Sequence, residues 1–296
     1  MLLATSACAG SGSSSSASLQ DPAIEKLVAD TDREADAIRK TARAAKGDQD
    51  FEYALQLTMK NEGTDYDKAE GSRQTLTDDG VTFGAIGFTS RNGELYEVLK
   101  ETIALSGAPF DFVVRRPAGL EEASRFWDAY RAGWEVLLVP RDSRKLPFPH
   151  GTDDPLAKWA LEPTTFPSGK PAKTPREVAL KILKAIGSVD DCRTVQRARA
   201  YQSYRDYTAF ASRWFSKPGY TPSREVKAFV FDLLVLSDGP PGDGAWRMAS
   251  WHSEKERVTQ IVKATTERLR KDGSAHAKTA PSRWQPYIDR ASGDKI

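Results

Sequence analysis

The chain has 296 residues, of which 39% are hydrophobic, which is enough apolar surface for one large domain and too much for a disordered chain. Its 43 basic and 41 acidic residues nearly cancel, so no overall field favours nucleic acid or an anionic membrane surface as a partner. The 3 histidines are scattered without the spacing of metal ligands, and we expect neither a metal nor another cofactor.

Residues 1–20 differ from the rest of the chain. Small residues precede Cys8, as they do at the end of a bacterial lipoprotein signal, and a Gly/Ser/Ala tract follows from Ala9 to Ser18. Such a tract is a flexible tether. We therefore expect residues 1–20 to be a signal remnant and tether, with a lipid anchor at Cys8, on a protein that is secreted or held in the cell envelope. The alternative is a low-complexity tail without a role.

Residues 21–296 are predicted to form one catalytic domain that is mainly helical. Helices are predicted at 22–46, 51–61, 95–105, 120–134, 226–236 and 253–272, the first of them polar after an amphipathic start. Thr174-Pro175 opens another helix that reaches residue 186, and a further helix runs from about Asp190 past Tyr207. Ser253-Glu254-Lys255-Glu256 is a capping box that opens the last predicted helix. The Pro-rich stretch 140–175 is predicted to be a long excursion between helices.

Residues 72–90 have a different character. Two β-prone runs, 73–77 and 81–88, flank Asp78-Asp79-Gly80, which is typical of a hairpin turn. Helices in runs with one small hairpin sheet indicate an α+β domain, mainly α-helical.

Glu62 follows the predicted helix 51–61, at the end where the helix dipole disfavours a negative charge. A carboxyl group that stays protonated there can donate its proton to a leaving glycosidic oxygen, which is the role of a general acid. The alternative is a solvated glutamate at a helix end.

Asp78 and Asp79 supply a second carboxylate that the predicted turn places across a groove from Glu62. Glycoside hydrolysis with inversion needs two carboxyl groups about 6.5–9.5 Å apart, with room for the water that the base activates. The alternative is a good turn sequence with no further role.

Glu62, the run 79–94 and the helix that follows it resemble the catalytic stretch of family 46 glycoside hydrolases, the chitosanases, which have a bilobal, lysozyme-like fold. The resemblance implies that Glu62 is the general acid and Asp79 the base. It also implies that Thr82 orients the attacking water and that Glu94 binds the amino sugar.

The turn is shorter here than in the family, because Asp79 lies three positions before Thr82 where the family has five. The base therefore stays open among Asp79, Asp78 and two other nearby carboxylates, Asp67 and Glu70.

Asp232 lies in the apolar run 227–236. A buried carboxylate must be paired, because an unpaired buried charge costs several kcal/mol. In the family this aspartate pairs with an arginine in a network that holds the general acid in place. Three arginines are candidates for the partner: Arg257, Arg268 and Arg270. The alternative is that Asp232 lies on an exposed stripe of its helix.

The resemblance implies an endo-acting, inverting chitosanase that cleaves β-1,4-linked amino-sugar polymers and needs no cofactor. We expect a monomer with a polysaccharide substrate and no nucleic-acid partner. A peptidoglycan-cleaving, lysozyme-like muramidase is the alternative, because Asn61–Gly63 and the run 80–84 fit that pattern nearly as well. A non-catalytic glycan-binding envelope protein of the same fold is the third possibility.

Overall fold

The computed structural model describes residues 22–106, 120–139, 146–163, 174–217, 219–236 and 250–294. The predicted signal remnant and tether, with Cys8, lie outside the described residues. No described helix is both long and apolar enough to cross a membrane.

The described part is mostly helical, as predicted. In chain order the helices are α1 (Pro22–Gly47), α2 (Gln49–Glu62), α3 (Arg73–Asp78), α4 (Glu94–Ser106), α5 (Leu120–Leu138), α6 (Pro155–Ala160), α7 (Pro175–Gly187), α8 (Asp190–Trp214), α9 (Arg224–Leu236), α10 (Glu254–Lys271) and α11 (Ala280–Arg290). Short 3-10 helices cover Gly151–Asp153 and Ala275–Lys278.

A small antiparallel sheet has the order β1 (Ala69–Glu70), β2 (Thr82–Phe83), β3 (Phe88–Thr89). In its register Ala69 pairs with Phe83, and Thr82 pairs with both Glu70 and Thr89. An α+β domain, mainly α-helical, is therefore confirmed, but the predicted hairpin is wrong. Its turn lies between β2 and β3 and does not contain Asp78 or Asp79.

The first predicted strand, residues 73–77, is helix α3. Ser72 caps it, because its side chain accepts a hydrogen bond from the Thr75 amide at 3.1 Å. Thr77 directs its hydroxyl to the Arg73 carbonyl at 2.9 Å, which lets a β-branched residue fit within the helix. The helix ends at Asp78, so both aspartates lie at a helix C-terminus.

Two hydrophobic clusters fill the interior. The first joins the sheet with α4, α5, α6 and α7, and the second joins α2 with α9, α10 and α11. Helix α8 contributes to both, with Val195 in the first cluster and Tyr204 in the second. Ile86, between β2 and β3, packs against both clusters and so marks where they meet.

Helices α7 and α10 begin as predicted from their caps. Thr174 and Glu177 form a capping box at the start of α7. Ser253 caps α10 by accepting from the Glu256 amide at 3.2 Å, while the Glu256 side chain accepts from the His252 amide instead of closing the predicted box. Helix α11 was not predicted.

Candidate functional site

A cleft of about 520 Å³ lies between the sheet and the last turn of α10. Three of the predicted site residues line it: Glu62, Asp79 and Thr82. The other lining residues are Asp78, Ile86, Gly87, Thr89, Asn92, Val235, Leu236, Arg268, Leu269, Ser274 and His276. Residues that are far apart in the sequence thus form one groove at the junction of the two clusters.

Glu62 is the last residue of α2 and projects from a well-terminated helix end. Gly63 adopts the left-handed conformation, with φ 59°, and the Thr64 amide closes the helix by donating to the Met59 carbonyl at 2.9 Å. The Glu62 side chain is 24% exposed, and its Oε1 accepts from Nη2 of Arg283 at 2.6 Å. The candidate acid therefore lies at a helix C-terminus and forms an ion pair with a guanidinium.

Asp232 is fully buried in α9 and is held by Arg283. Nε and Nη2 of Arg283 donate to its two carboxylate oxygens at 3.0 and 2.9 Å, and the indole nitrogen of Trp284 donates at 3.0 Å. The prediction that Asp232 is buried and paired is confirmed, and an exposed stripe is excluded.

The prediction that Arg257, Arg268 or Arg270 pairs with Asp232 is wrong. Nε of the buried Arg257 donates to the Trp214 carbonyl at 3.0 Å. Nε of Arg268 lies 3.9 Å from Oδ2 of Asp272. The actual partner, Arg283, comes from α11. Helix α11 contains two prolines, Pro281 and Pro286, and prolines argue against a helix when only the sequence is read.

Arg283 remains charged in this network. Burial lowers the pKa of its guanidinium, but the hydrogen bonds and charges of Asp232 and Glu62 outweigh burial and raise the pKa above its usual value. The Arg283 guanidinium therefore connects Glu62, the candidate acid, to the buried carboxylate of Asp232.

Asp78 ends α3 and Asp79 is its C-cap residue. The Asp78 carboxylate accepts from Nε2 of Gln74 at 2.5 Å, and its carbonyl accepts from Nη1 of Arg91 at 2.9 Å. The Asp79 side chain is 54% exposed, with Oδ1 3.7 Å from Nη1 of Arg91. Asp79 is the more available of the two for a water in the cleft.

Thr82 opens β2 and faces the same cleft, whereas Glu94 lines a neighbouring recess of about 90 Å³. The two spaces share Ile86, Gly87, Asn92 and Val235. In the recess Glu94 lies with Ser203 and Tyr207, and its Oε2 accepts from the Thr89 amide at 3.4 Å. Glu62 and Thr82 thus line the cleft, and Glu94 lines a separate recess beside it.

Asp67 and Glu70 are not among the described residues that line the cleft. Glu70 pairs with Lys68 at 2.6 Å, on the first strand of the sheet. The structure therefore leaves Asp79 and Asp78 as the carboxylates that share the cleft with Glu62.

Arg268 and His276 also line the cleft and were not predicted as site residues. Their wall is built by the end of α10 and the 3-10 helix after it, beyond the residues that carry the family resemblance. Among the described residues, no group of three or more His, Cys, Asp or Glu side chains is placed to hold a metal ion.

Comparison with known proteins yields no relative. No family model and no curated protein matches the sequence, and no solved structure matches the fold. The resemblance to family 46 chitosanases therefore stays a prediction.

Proposed function

We propose that the protein is a glycoside hydrolase that cleaves β-1,4-linked amino-sugar polymers, with chitosan as the substrate, by an inverting, endo-acting mechanism. The observation that carries the proposal is that Glu62, Asp79 and Thr82 line one groove although they come from a helix end, a helix cap and a strand.

In this mechanism Glu62 gives its proton to the glycosidic oxygen while Asp79 takes a proton from water. Thr82 holds that water for attack on the anomeric carbon from the opposite face of the sugar. Arg283 occupies Oε1 of Glu62, so we assign the transferred proton to Oε2.

Glu94 would bind the ammonium group of a neighbouring glucosamine in the recess that adjoins the cleft. Since the overall charge is close to zero, attraction of a cationic polymer has to come from local carboxylates. The groove provides them in Glu62, Asp78, Asp79 and Glu94. A lysozyme-like bilobal fold is part of the proposal, and the two hydrophobic clusters that meet at Ile86 support it.

Peptidoglycan is the second candidate substrate. Arg268 lines the same cleft as the carboxylates, and its guanidinium suits a sugar that carries a carboxylate, as muramic acid does. An exported, lipid-anchored protein, as proposed from Cys8, would lie beside this polymer.

The test is the substitution Glu62→Gln, assayed on both polymers. The variant keeps the shape of the side chain but has no proton to donate, so cleavage should fall by about 10²–10⁴-fold. Glu70→Gln is the matched control, because this glutamate pairs with Lys68 outside the cleft and should leave cleavage unchanged. Analysis of the anomer released first by the wild type checks inversion.

A fully active Glu62→Gln variant would exclude the proposed acid. Wild-type protein that binds either polymer without cleaving it would instead identify a glycan-binding protein.

A further inference from the structure

A second buried carboxylate, Asp154, lies behind the turn that carries Asp79. It is fully buried at the start of α6 and caps that helix, with the amides of Leu156 and Ala157 donating to it, each at 3.2 Å. The hydroxyl groups of Ser90 and Tyr96 donate to its two oxygens. Burial raises the pKa of Asp154, and these four donors oppose the rise. Asp154 thus joins three separate parts of the chain.

Ser90 connects Asp154 to residues 78–81, which we call the acidic turn. Its Oγ accepts a hydrogen bond from the Val81 amide at 2.8 Å, and its own amide donates to the Val81 carbonyl at 2.9 Å. Because the hydroxyl donates to Asp154, its lone pairs are directed at the Val81 amide. The backbone two positions after Asp79 is therefore fixed from the interior.

Gly151, three positions before Asp154, packs against the same turn. A Cβ atom on Gly151 would lie 2.2 Å from the Leu76 carbonyl oxygen and 2.7 Å from the Gly80 nitrogen, so only glycine permits this approach. A Cβ atom on Gly80 would lie 2.4 Å from Oγ of Ser90 and 3.0 Å from Oδ2 of Asp154. The acidic turn thus rests directly on the segment 151–154.

We infer that Asp154 is a positioning residue for the proposed base, which it holds in place through Ser90 and the backbone of Val81. Asp154 is not among the described residues that line the cleft, so it acts through others. The inference rests on the proposed function, and it adds a residue outside the stretches that carry the family resemblance. A base must be held to within a fraction of an ångström, and a shift of about 1 Å can cost about 100-fold in rate.

Glu254 offers a closely matched control. It is 3% exposed and accepts the same kinds of donor: the hydroxyl of Tyr220, the hydroxyl of Ser223 at 2.9 Å, and the amides of Ser223 and Ser292 at 3.0 and 3.4 Å. It lies at the start of α10 and is not among the described cleft residues. A purely structural loss should therefore be similar for Glu254→Gln and Asp154→Asn.

The experiment compares Asp154→Asn, Ser90→Ala and Glu254→Gln by steady-state kinetics and by hydrogen exchange of residues 78–91. For Asp154→Asn and Ser90→Ala we expect kcat to fall about 10- to 100-fold with KM nearly unchanged, and exchange in this segment to accelerate. Glu254→Gln should lower the melting temperature about as much as Asp154→Asn but leave kcat and this exchange as in the wild type. Ser90→Ala removes only one hydroxyl group and keeps the test open if Asp154→Asn does not fold.

Equal loss of kcat in the Asp154 and Glu254 variants would overturn the inference, since it would mean general destabilisation. Unchanged exchange in Asp154→Asn and Ser90→Ala would overturn it as well. A wild-type protein that cleaves neither polymer would refute the proposed function, and the exchange data alone would then decide whether Asp154 orders the turn.

Discussion

Nη2 of Arg283 donates to Oε1 of Glu62 at 2.6 Å, which joins the last described helix to the end of α2 across 221 positions of sequence. The same guanidinium makes two hydrogen bonds with the buried carboxylate of Asp232. Arg283 therefore holds Glu62 in place, and the buried Asp232 in turn fixes the position of Arg283. The flat, forked guanidinium suits this arrangement, because its several N–H groups can bond both carboxylates at once.

Removal of Arg283 should destabilise the fold and not only the site. Arg283→Ala leaves Asp232 buried without its cation, and we expect the free energy of unfolding to fall by about 3–5 kcal/mol in urea denaturation. Arg283→Lys keeps the charge but not the forked guanidinium. It should lose less stability than Arg283→Ala and should have a lower kcat than the wild type. Arg290→Ala, on the same helix, removes only a 3.2 Å contact with the Tyr53 hydroxyl and should cost less than about 1 kcal/mol. Equal stability of Arg283→Ala and the wild type would contradict the network.

The two aspartates of the acidic turn should contribute unequally. Asp79→Asn removes the proposed base, so kcat should fall about 10²–10⁴-fold. Asp78→Asn should cost less than about tenfold, because the Asp78 carboxylate is engaged by Gln74 on the surface of α3. Steady-state rates on chitosan check this order, and the reverse order would identify Asp78 as the base.

Glu94→Gln should affect binding more than chemistry. We expect KM for chitosan to rise about tenfold with kcat little changed, because in the proposed function the carboxylate pairs with an ammonium group away from the cleaved bond. The control is an N-acetylated polymer, whose neutral amide groups cannot form this ion pair, so the KM of any cleavage should not respond to the substitution. A change in kcat alone, or the same change in KM for both polymers, would remove Glu94 from substrate recognition.

Buried tyrosines predict a loss of stability at alkaline pH. Burial, as the largest cause, raises the pKa of seven buried or half-buried tyrosines: Tyr66, Tyr96, Tyr130, Tyr201, Tyr204, Tyr220 and Tyr287. Below a pH of about 10 both states keep these protons, so stability is complete. Above it the unfolded chain releases protons that the folded chain retains, and the free energy of unfolding falls as pH rises.

Urea denaturation at a series of alkaline pH values, with phenolate absorbance as the second probe, checks this prediction. Tyr204→Phe keeps the ring, which packs near Phe51 and Phe231, but has no proton to lose. Its stability should fall less steeply with pH than that of the wild type. A stability that does not change above a pH of about 10 would contradict the role of these side chains.

The sequence predicts the helices well where the apolar pattern and the caps agree. Thr174 and Ser253 mark the starts of α7 and α10 because their side chains bond to backbone amides within the next turn. The pattern fails in α3, where Thr75 and Thr77 favour a strand by propensity and the Ser72 cap selects a helix. Local preferences of a six-residue helix are easily overridden by its surroundings.

Glu62, Asp79 and Thr82 were predicted together and line one cleft, but the residues that support them were not predicted. Burial of Asp232 follows from its apolar neighbours, yet the choice of Arg283 over three other arginines depends on how α11 packs against α9. Asp154 carries no local signal either, since its donors Ser90 and Tyr96 lie 64 and 58 positions away in the sequence. Pairings of this kind are decided by tertiary structure.

The position of Arg283 in α11 also has a consequence for biosynthesis. Ribosomes deliver a chain from its N-terminus, so Glu62, Asp79 and the sheet emerge long before residue 283 is joined. Until then Asp232 has no guanidinium to bury against, and neither carboxylate is anchored. A chain that stops before α11 would lack Arg283, so neither Glu62 nor Asp232 would have the guanidinium that holds it in the complete fold.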